Sequence, residues 1–274
     1  MGRNEPVAAR VGEYYDDIGD FVELVGGNLH VGYWTGEDDD TPLLGALHRL
    51  TSMMEERLAL RPGHRLLDVG CGVAEPAVRI AQRNEVTVVG VTVSGWQVAE
   101  AERRITAAGL RGQVSVRLAD AAALPFPDGS FDRVLAFDSL PNAEDKRRWT
   151  AEMFRVLRPG GRCVYSEYPR DPGTSEEELA VLKRYALFDP PIPDRVTAPA
   201  EEAGFTVVET LHCGDRVRRY YDLVLDKLAR QRDALTALYG RERMEAFAAD
   251  LRTSYGICRR RLGYVIVTCR KPGS

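Results

Sequence analysis

Asp68, Gly70 and Gly72 stand where a short apolar run ends and a helix can begin. Glycine has no side chain, so two glycines let the backbone turn sharply and let a ligand approach it closely. Pro76 suits the first turn of the helix, because its missing N–H would have no partner there. A strand, a glycine turn and a helix start together form a cradle for a nucleotide-type cofactor, since free N–H groups at the helix start point at the ligand.

The residues after this turn disfavour a dinucleotide. The pattern G-x-G-x-x-G is incomplete, because Glu75 occupies the place of its third glycine. A pyrophosphate would meet that carboxylate near the helix start. A ligand that has no phosphate and carries a positive centre fits better, and S-adenosylmethionine (SAM) is such a ligand.

The composition narrows the class of protein. The chain has 274 residues and a formal net charge of −4, which fits one large α/β domain with an elaborated lid and argues against a general nucleic-acid binder. No apolar run approaches the roughly 20 residues that span a bilayer, and the N-terminus lacks the pattern of a signal peptide. We expect a cytoplasmic protein with a small-molecule substrate, without a membrane or nucleic-acid partner, and either a monomer or a homodimer.

The cysteines and histidines give no metal-ligand pattern. The five cysteines form no C-x-x-C pair, and the four histidines are scattered. We expect reduced thiols and no bound metal.

Strands and helices alternate along most of the chain. The predicted strands are 65–69, 86–93, 114–118, 131–137, 162–168, 205–211 and 263–269, and the predicted helices are 43–60, 95–108, 146–157, 176–187, 197–203 and 217–240. This alternation predicts a seven-stranded, mostly parallel, doubly wound α/β sheet. We expect an N-terminal helical cap segment over 1–60, a cofactor-binding core over 61–170, and the remaining strands with helical lid insertions in 171–274. The insertions, about 171–196 and 215–258, would lie over the carboxyl edge of the sheet, where ligands bind in open α/β folds.

Several motifs resemble those of the class I SAM-dependent methyltransferases, over roughly residues 12 to 270. The motifs are 66–72 (first motif), Asp120-Ala121 with 124–132 (adenine-side loop and turn) and 157–161 (the motif before strand five). More narrowly, 26–34, 91–98 and 262–266 resemble bacterial natural-product methyltransferases, which act on macrolides, glycosides, ansamycins and similar metabolites. The resemblance implies a Rossmann-like methyltransferase fold with SAM as cofactor.

The resemblance also implies a set of cofactor-binding residues. They are Asp68, Gly70, Cys71 and Gly72 around the methionine part, Thr92, Ser94 and Gln97 near the ribose, Asp120 and Ala121 at the adenine, and Phe137 and Asp138 after strand four. Thr92 departs from many relatives, which carry an acidic residue there. Ser94 and Gln97 also form the S-x-x-Q pattern of a capping box, so helix capping and ribose contact are both open. Ala74 stands where the family commonly has a further glycine.

An aromatic cluster near the N-terminus has two interpretations. The segment that carries Tyr15, His30, Tyr33 and Trp34 resembles one that folds over the active site in similar enzymes. We expect Tyr15 and Tyr33 at the cofactor. The alternative is an aromatic cluster that packs two N-terminal helices together.

Methyl transfer to a hydroxyl benefits from a positioned base. Relatives of this type carry histidines just after strand four, but the sequence 137–142 contains none. Glu167, at the end of strand five, is our first candidate for the base, followed by Asp138 and His30. The alternative for Glu167 is a buried carboxylate paired with an arginine from the lid.

Oxygen is the expected acceptor atom, with nitrogen next and carbon third. A different class remains open, namely a protein that binds SAM but catalyses another reaction such as a cyclisation. We expect lid residues to select the acceptor, although each of them fits a core position equally well. These candidates are Tyr185, Phe188, Tyr220, Tyr221 and Leu225.

Overall fold

The computed structural model describes residues 7–19, 30–184 and 189–273. The 26–29 part of the N-terminal motif and the lid candidates Tyr185 and Phe188 lie outside the described residues.

Seven strands form one sheet. They are β1 (Arg65–Val69), β2 (Thr87–Thr92), β3 (Val114–Leu118), β4 (Phe131–Ala136), β5 (Leu157–Glu167), β6 (Thr206–His212) and β7 (Val265–Arg270). Their order in the sheet is β3-β2-β1-β4-β5-β7-β6, and only β7 runs antiparallel to its neighbours. The prediction of a seven-stranded, mostly parallel, doubly wound α/β sheet is therefore confirmed. The strand order reverses between β1 and β4, which is where such sheets bind ligands.

Helices cover both faces of the sheet and its carboxyl edge. They are α1 (Val7–Asp17), α2 (Leu43–Leu58), α3 (Glu75–Arg83), α4 (Gly95–Ala107), α5 (Lys146–Val156), α6 (Glu176–Arg184), α7 (Ala198–Glu202), α8 (Gly214–Val217), α9 (Arg219–Arg230), α10 (Arg232–Tyr239) and α11 (Arg241–Arg261).

The central strand β1 shows why this sequence forms a covered sheet. Leu66 packs into the apolar cluster on one face, and Leu67 and Val69 pack into the cluster on the other. All three side chains are fully buried, as expected for a parallel strand with helices on both faces. Burial of each such side chain contributes about 2 kcal/mol to folding.

The prediction of a single helix over 217–240 is wrong. The chain forms α8, α9 and α10 here, and the longest helix, α11, follows them. Gly240 has φ of 81°, a value that ends α10 because a right-handed helix cannot continue through it. Helix α11 has no strong apolar periodicity, because charged residues lie along most of it.

Two glycines let α1 lie close to the start of α4. A Cβ at Gly12 would come within 2.5 Å of the Val93 carbonyl oxygen, and one at Gly19 would come equally close to the Trp96 ring. Helix α1 therefore covers the carboxyl end of β2.

No helix in the described ranges is long and apolar enough to cross a membrane. The five cysteines are all free and buried.

The glycine turn after β1 gives a test of the fold. Gly70 and Gly109 both have φ of +70°, but a Cβ would meet Ser139 Cβ at 2.3 Å from Gly70 and open space from Gly109. Gly109→Ala isolates the backbone strain and is expected to cost about 1 kcal/mol. Gly70→Ala adds overpacking and is expected to cost about 3 kcal/mol, measured by denaturant unfolding. Equal losses for the two variants would contradict this account.

Candidate cofactor and acceptor site

A pocket opens at the carboxyl edge of the sheet, beside the point where the strand order reverses. It holds about 800 Å³ of empty space, which includes open solvent at its mouth. Its lining includes many of the residues that the sequence predicted, namely Tyr15, His30, Gly70, Cys71, Gly72, Thr92, Gln97, Ala121, Phe137 and Asp138. The lining does not include five other predicted site residues, namely Tyr33, Asp68, Ser94, Asp120 and Glu167.

The glycine turn is held by hydrogen bonds to β2. The N–H groups of Gly70 and Cys71 both donate to the Val91 carbonyl oxygen, at 2.8 and 3.0 Å. Gly72 has φ of +53°, and a Cβ there would point into open space, so the backbone is accessible to a ligand. Ala74, the residue at the position of the further glycine, also has a positive φ of 60° and begins α3. The turn thus keeps its glycine-like shape although Ala74 has a methyl group.

Asp68 is buried directly before this turn. Its Oδ2 atom has no hydrogen-bond partner among the described residues. Burial raises the pKa of this carboxyl to about 7, because a charged group is disfavoured where water is excluded. A buried acid with an unused oxygen suits a ligand that carries a positive charge, as SAM does on its sulfonium and its ammonium.

The residues after β2 cap a helix and form a hydrogen bond with α1. The Ser94 hydroxyl accepts from the Gln97 N–H at 2.9 Å and so caps α4, as the capping interpretation expects. It also donates to Asp16 Oδ1 of α1 at 2.5 Å. The Thr92 hydroxyl donates to Gln97 Oε1 at 2.5 Å. Asp16 therefore lies beside the residues that follow β2, and it was not predicted because it comes from a helix that is distant in the sequence.

The adenine-side loop is ordered by Asp120. Its Oδ1 accepts from the Ala122 N–H at 2.8 Å, and this turn places Ala121 in the pocket lining. Trp149 of α5 also lines the pocket and was not predicted, since in the sequence it looks like an ordinary core position of a helix. A contact between the Asp120 carboxylate and the adenine stays a prediction.

Asp138 is the most heavily bonded side chain of the site. Its Oδ1 accepts from the hydroxyls of Ser166 at 2.5 Å and Tyr264 at 2.6 Å. Its Oδ2 accepts from the Tyr168 hydroxyl at 2.8 Å and the Val31 N–H at 3.1 Å. The residue has φ of 50°, a strained value for a residue with a side chain, and such strain concentrates at functional sites. Burial and the Asp138 charge hold the pKa of both tyrosines well above their usual range.

Glu167 lies one residue away from this group but faces elsewhere. Its Oε2 is 3.2 Å from Lys146 Nζ, its Oε1 accepts from the Tyr168 N–H at 2.9 Å, and it is only 1% exposed. Burial raises its pKa, and Lys146 partly offsets this rise. Glu167 is therefore a buried carboxylate paired with a cation, but the expected arginine from the lid is wrong, because the partner is Lys146 of α5.

His30 presents its ring face, not a free nitrogen, to the pocket. The ring stacks on Phe137 with centroids 4.1 Å apart. Nδ1 lies 2.9 Å from the Val31 carbonyl oxygen, which can only accept, so we assign the proton to Nδ1 and leave Nε2 to accept from Thr51 at 3.2 Å. Burial lowers its pKa, so the ring is held neutral.

The two N-terminal tyrosines have different surroundings. Tyr15 lines the pocket and donates to Asn142 Oδ1 at 3.1 Å, and burial raises its pKa to about 12. Tyr33 packs against the apolar core, and the neighbouring Trp34 is buried with its indole N–H on the Thr41 carbonyl oxygen. Tyr15 thus lies at the pocket, where its cofactor contact stays a prediction, whereas Tyr33 packs against the core and does not line the pocket.

A second pocket, which we call the acceptor chamber, meets the first. It holds about 850 Å³ of empty space. The two share three lining residues, Tyr15, Asp138 and Asn142. Two predicted lid residues, Tyr220 and Tyr221, line the chamber, whereas Leu225 packs against the core. Helix α11 supplies most of the remaining lining.

Comparisons with known proteins agree with this geometry. A family profile described as a methyltransferase domain matches residues 67–165. The methyltransferase GfsG of Streptomyces halstedii is 33% identical over 269 residues, covering 96% of this chain and 94% of that protein. The 27-O-demethylrifamycin SV methyltransferase of Amycolatopsis mediterranei is 42% identical over 165 residues, or 60% of each chain. The solved structure of the [4+2]-cyclase SpnF is 30% identical with a TM-score of 0.87, covering 98% of this chain and 97% of that one.

The chain belongs to the class I SAM-dependent methyltransferases. It is an enzyme of this class, uses SAM, and is homologous to natural-product O-methyltransferases. The residues around the pocket fit SAM, because Asp68 has an unused buried oxygen and Gly72 leaves open space beside the backbone.

The raised pKa of Asp68 predicts that cofactor binding depends on pH. The ionised carboxylate suits a cationic ligand, so binding of S-adenosylhomocysteine, with its ammonium, should release a proton near pH 7. Affinity should rise about tenfold between pH 6 and pH 8 and then level off. Titration calorimetry in buffers of different ionisation enthalpy measures both effects.

Two variants give the comparison for this test. Asp68→Asn should bind more weakly and without the pH dependence. Asp120→Asn keeps an acceptor for the Ala122 N–H and should retain the wild-type pH dependence. A proton release that survives in Asp68→Asn would show that another group titrates.

Proposed function

We propose that this enzyme transfers a methyl group from SAM to a hydroxyl of a small, partly apolar natural product, as part of secondary-metabolite biosynthesis in the manner of the bacterial natural-product methyltransferases. The observation that carries the proposal is the junction of the two pockets. Tyr15, Asp138 and Asn142 line both of them, so a molecule in the acceptor chamber meets a cofactor in the first pocket at these residues.

The acceptor chamber supports a bulky, largely apolar acceptor. Its walls are mainly aromatic and aliphatic side chains, among them Ile18, Val31, Phe247 and Leu251. Binding such a molecule in place of water aligns it with the methyl donor, and alignment accounts for a large part of the rate of a displacement reaction. The homology to an O-demethylrifamycin methyltransferase supports oxygen as the acceptor atom.

Asp138 and Tyr168 offer a route for the acceptor proton. When bound, SAM supplies a methyl group that is already activated by the sulfonium. The Tyr168 hydroxyl donates to Asp138 Oδ2, so its oxygen can still accept a hydrogen bond from the acceptor hydroxyl in the chamber. As the acceptor oxygen gains a methyl group, its proton moves to Tyr168 Oη and the Tyr168 proton moves to Asp138. Tyr168 ends neutral and Asp138 ends protonated.

This route changes the ranking of the candidate bases. Glu167 is paired with Lys146 beside the site, and the His30 nitrogens are engaged with Val31 and Thr51. Asp138 is the candidate that lines both pockets. We therefore assign proton transfer to Asp138 through Tyr168 and a supporting role to Glu167.

Tyrosine variants test the proton route. Tyr168 and Tyr264 both donate to Asp138, but Tyr264 lies on the side of an outer arginine-lined groove rather than in the chamber lining. Tyr168→Phe and Asp138→Asn should lower kcat by roughly 10²–10⁴, whereas the matched control Tyr264→Phe should stay within about tenfold. Steady-state kinetics at saturating SAM gives the values. Full activity of Asp138→Asn together with an inactive Glu167→Gln would return the role of base to Glu167.

A second candidate function is ring closure of a bound natural product. The [4+2]-cyclase SpnF is 30% identical and covers nearly the whole chain, and an enclosed aromatic chamber suits a reaction that needs no base. This function would use the same acceptor chamber with the cofactor as a fixed part of the wall.

Product analysis separates the two functions. Incubation with SAM and hydroxylated polyketides should yield S-adenosylhomocysteine in equal amount to an O-methylated product. Replacing SAM by S-adenosylhomocysteine should abolish the reaction. A product of unchanged mass that forms equally well with S-adenosylhomocysteine would establish ring closure instead.

A further inference from the structure

We infer that the acceptor chamber excludes anions, so that the natural acceptor is a bulky hydroxylated molecule that is neutral or carries a positive charge. This inference rests on the proposed function, and it narrows the class of acceptor.

The chamber has one formal charge in its described lining, and that charge is negative. Asp138 supplies it, and no Lys, Arg or His occurs among the other lining residues that the structure describes. The described lining of the chamber therefore holds no counter-ion for a bound carboxylate or phosphate.

The scarcity of cations in the chamber contrasts with the rest of the protein. The chain has 37 Lys and Arg residues, and several of them gather in a separate outer groove. Arg170, Arg216 and Arg260 line that groove. Tyr264 also lines it, and its hydroxyl reaches Asp138 from that side. The basic residues thus lie behind Tyr264, away from the acceptor chamber.

The polar groups of the chamber do not replace a cation. The hydroxyls of Tyr15 and Tyr168 donate to Asn142 and Asp138. Burial holds the pKa of Tyr220, Tyr221 and Tyr255 above the usual range, so these phenols stay neutral. Their ring faces carry partial negative charge, which attracts cations and repels anions.

An anion in this chamber would lose its hydration and stand close to Asp138. Like charges that are brought together in a partly desolvated site oppose binding strongly. We expect a penalty of about 100-fold or more in Kd for an anionic ligand relative to a neutral one of the same shape. A protonated amine should bind as well as the neutral ligand, or better.

Three probe ligands that share one rigid skeleton test this predicted order of affinities. Methyl cholate is neutral, cholate is anionic, and the 2-aminoethyl amide of cholic acid is cationic. Titration calorimetry with the full chain loaded with S-adenosylhomocysteine should show binding of the ester and of the amine, and at least 100-fold weaker binding of cholate. Equal affinity for cholate and its ester would overturn the inference, as would failure of all three probes to bind.

An added cation in the chamber should reduce the discrimination between the neutral and the anionic ligand. Ile18, directly after α1, lines the chamber. Ile18→Arg therefore places a positive charge there, and Ile18→Met is the uncharged control. The ratio of the two Kd values, cholate over ester, should fall at least tenfold in the arginine variant and stay unchanged in the methionine variant. An unchanged ratio in the arginine variant that still binds the ester would overturn the role of charge.

These titrations involve no methyl transfer. A failure of the proposed function would appear separately, as the absence of S-adenosylhomocysteine formation in the product analysis.

Discussion

The carboxylate of Asp138 is the interaction on which the site depends. Four donors converge on its two oxygens, and they come from the N-terminal segment, from β5 and from the residue before β7. These segments are distant in sequence, so a single half-buried charge fixes their relative positions. A half-buried carboxylate without such donors would be costly, and its four hydrogen bonds make the charge tolerable between the two pockets.

The reversed strand β7 is what completes this arrangement. Because β7 is antiparallel to β5, it starts at the same edge of the sheet at which the parallel strands end. Tyr264, just before β7, therefore lies beside the residues that follow β4 and β5. The long helical insertion before β7 ends at this edge as well, and α9 and α11 close the acceptor chamber above Asp138.

The two pockets differ in what they can hold. The first is built from backbone turns after β1 and β2, with Asp68 buried below and α1 fastened above by the Ser94–Asp16 hydrogen bond. The second is built mainly from aromatic side chains on helices. The backbone turns suit a ligand of constant shape, whereas side chains on lid helices can vary between relatives while the sheet stays the same. This division explains how one fold serves a common methyl donor and many different acceptors.

The sequence by itself determined the sheet, the glycine turn and the class of cofactor. These features are local, since the alternation of strands and helices, the positive φ positions of Gly70 and Gly72 and the acid at Asp68 all lie in short continuous segments. The pairing of Ser94 with Gln97 was readable for the same reason, because a cap joins residues three positions apart.

Only the tertiary structure decided what surrounds each acid. Glu167 and Asp138 both follow strands at the same edge of the sheet, and both looked suitable as bases. Their difference arises from partners more than 20 residues away, with Lys146 beside Glu167 and Tyr264 beside Asp138. The sequence also did not reveal the roles of Asp16 and Trp149, because these roles follow from contacts between distant segments. The break of the lid between α10 and α11 follows from a single backbone angle at Gly240. Long-range packing sets such contacts, and no local pattern in the chain records it.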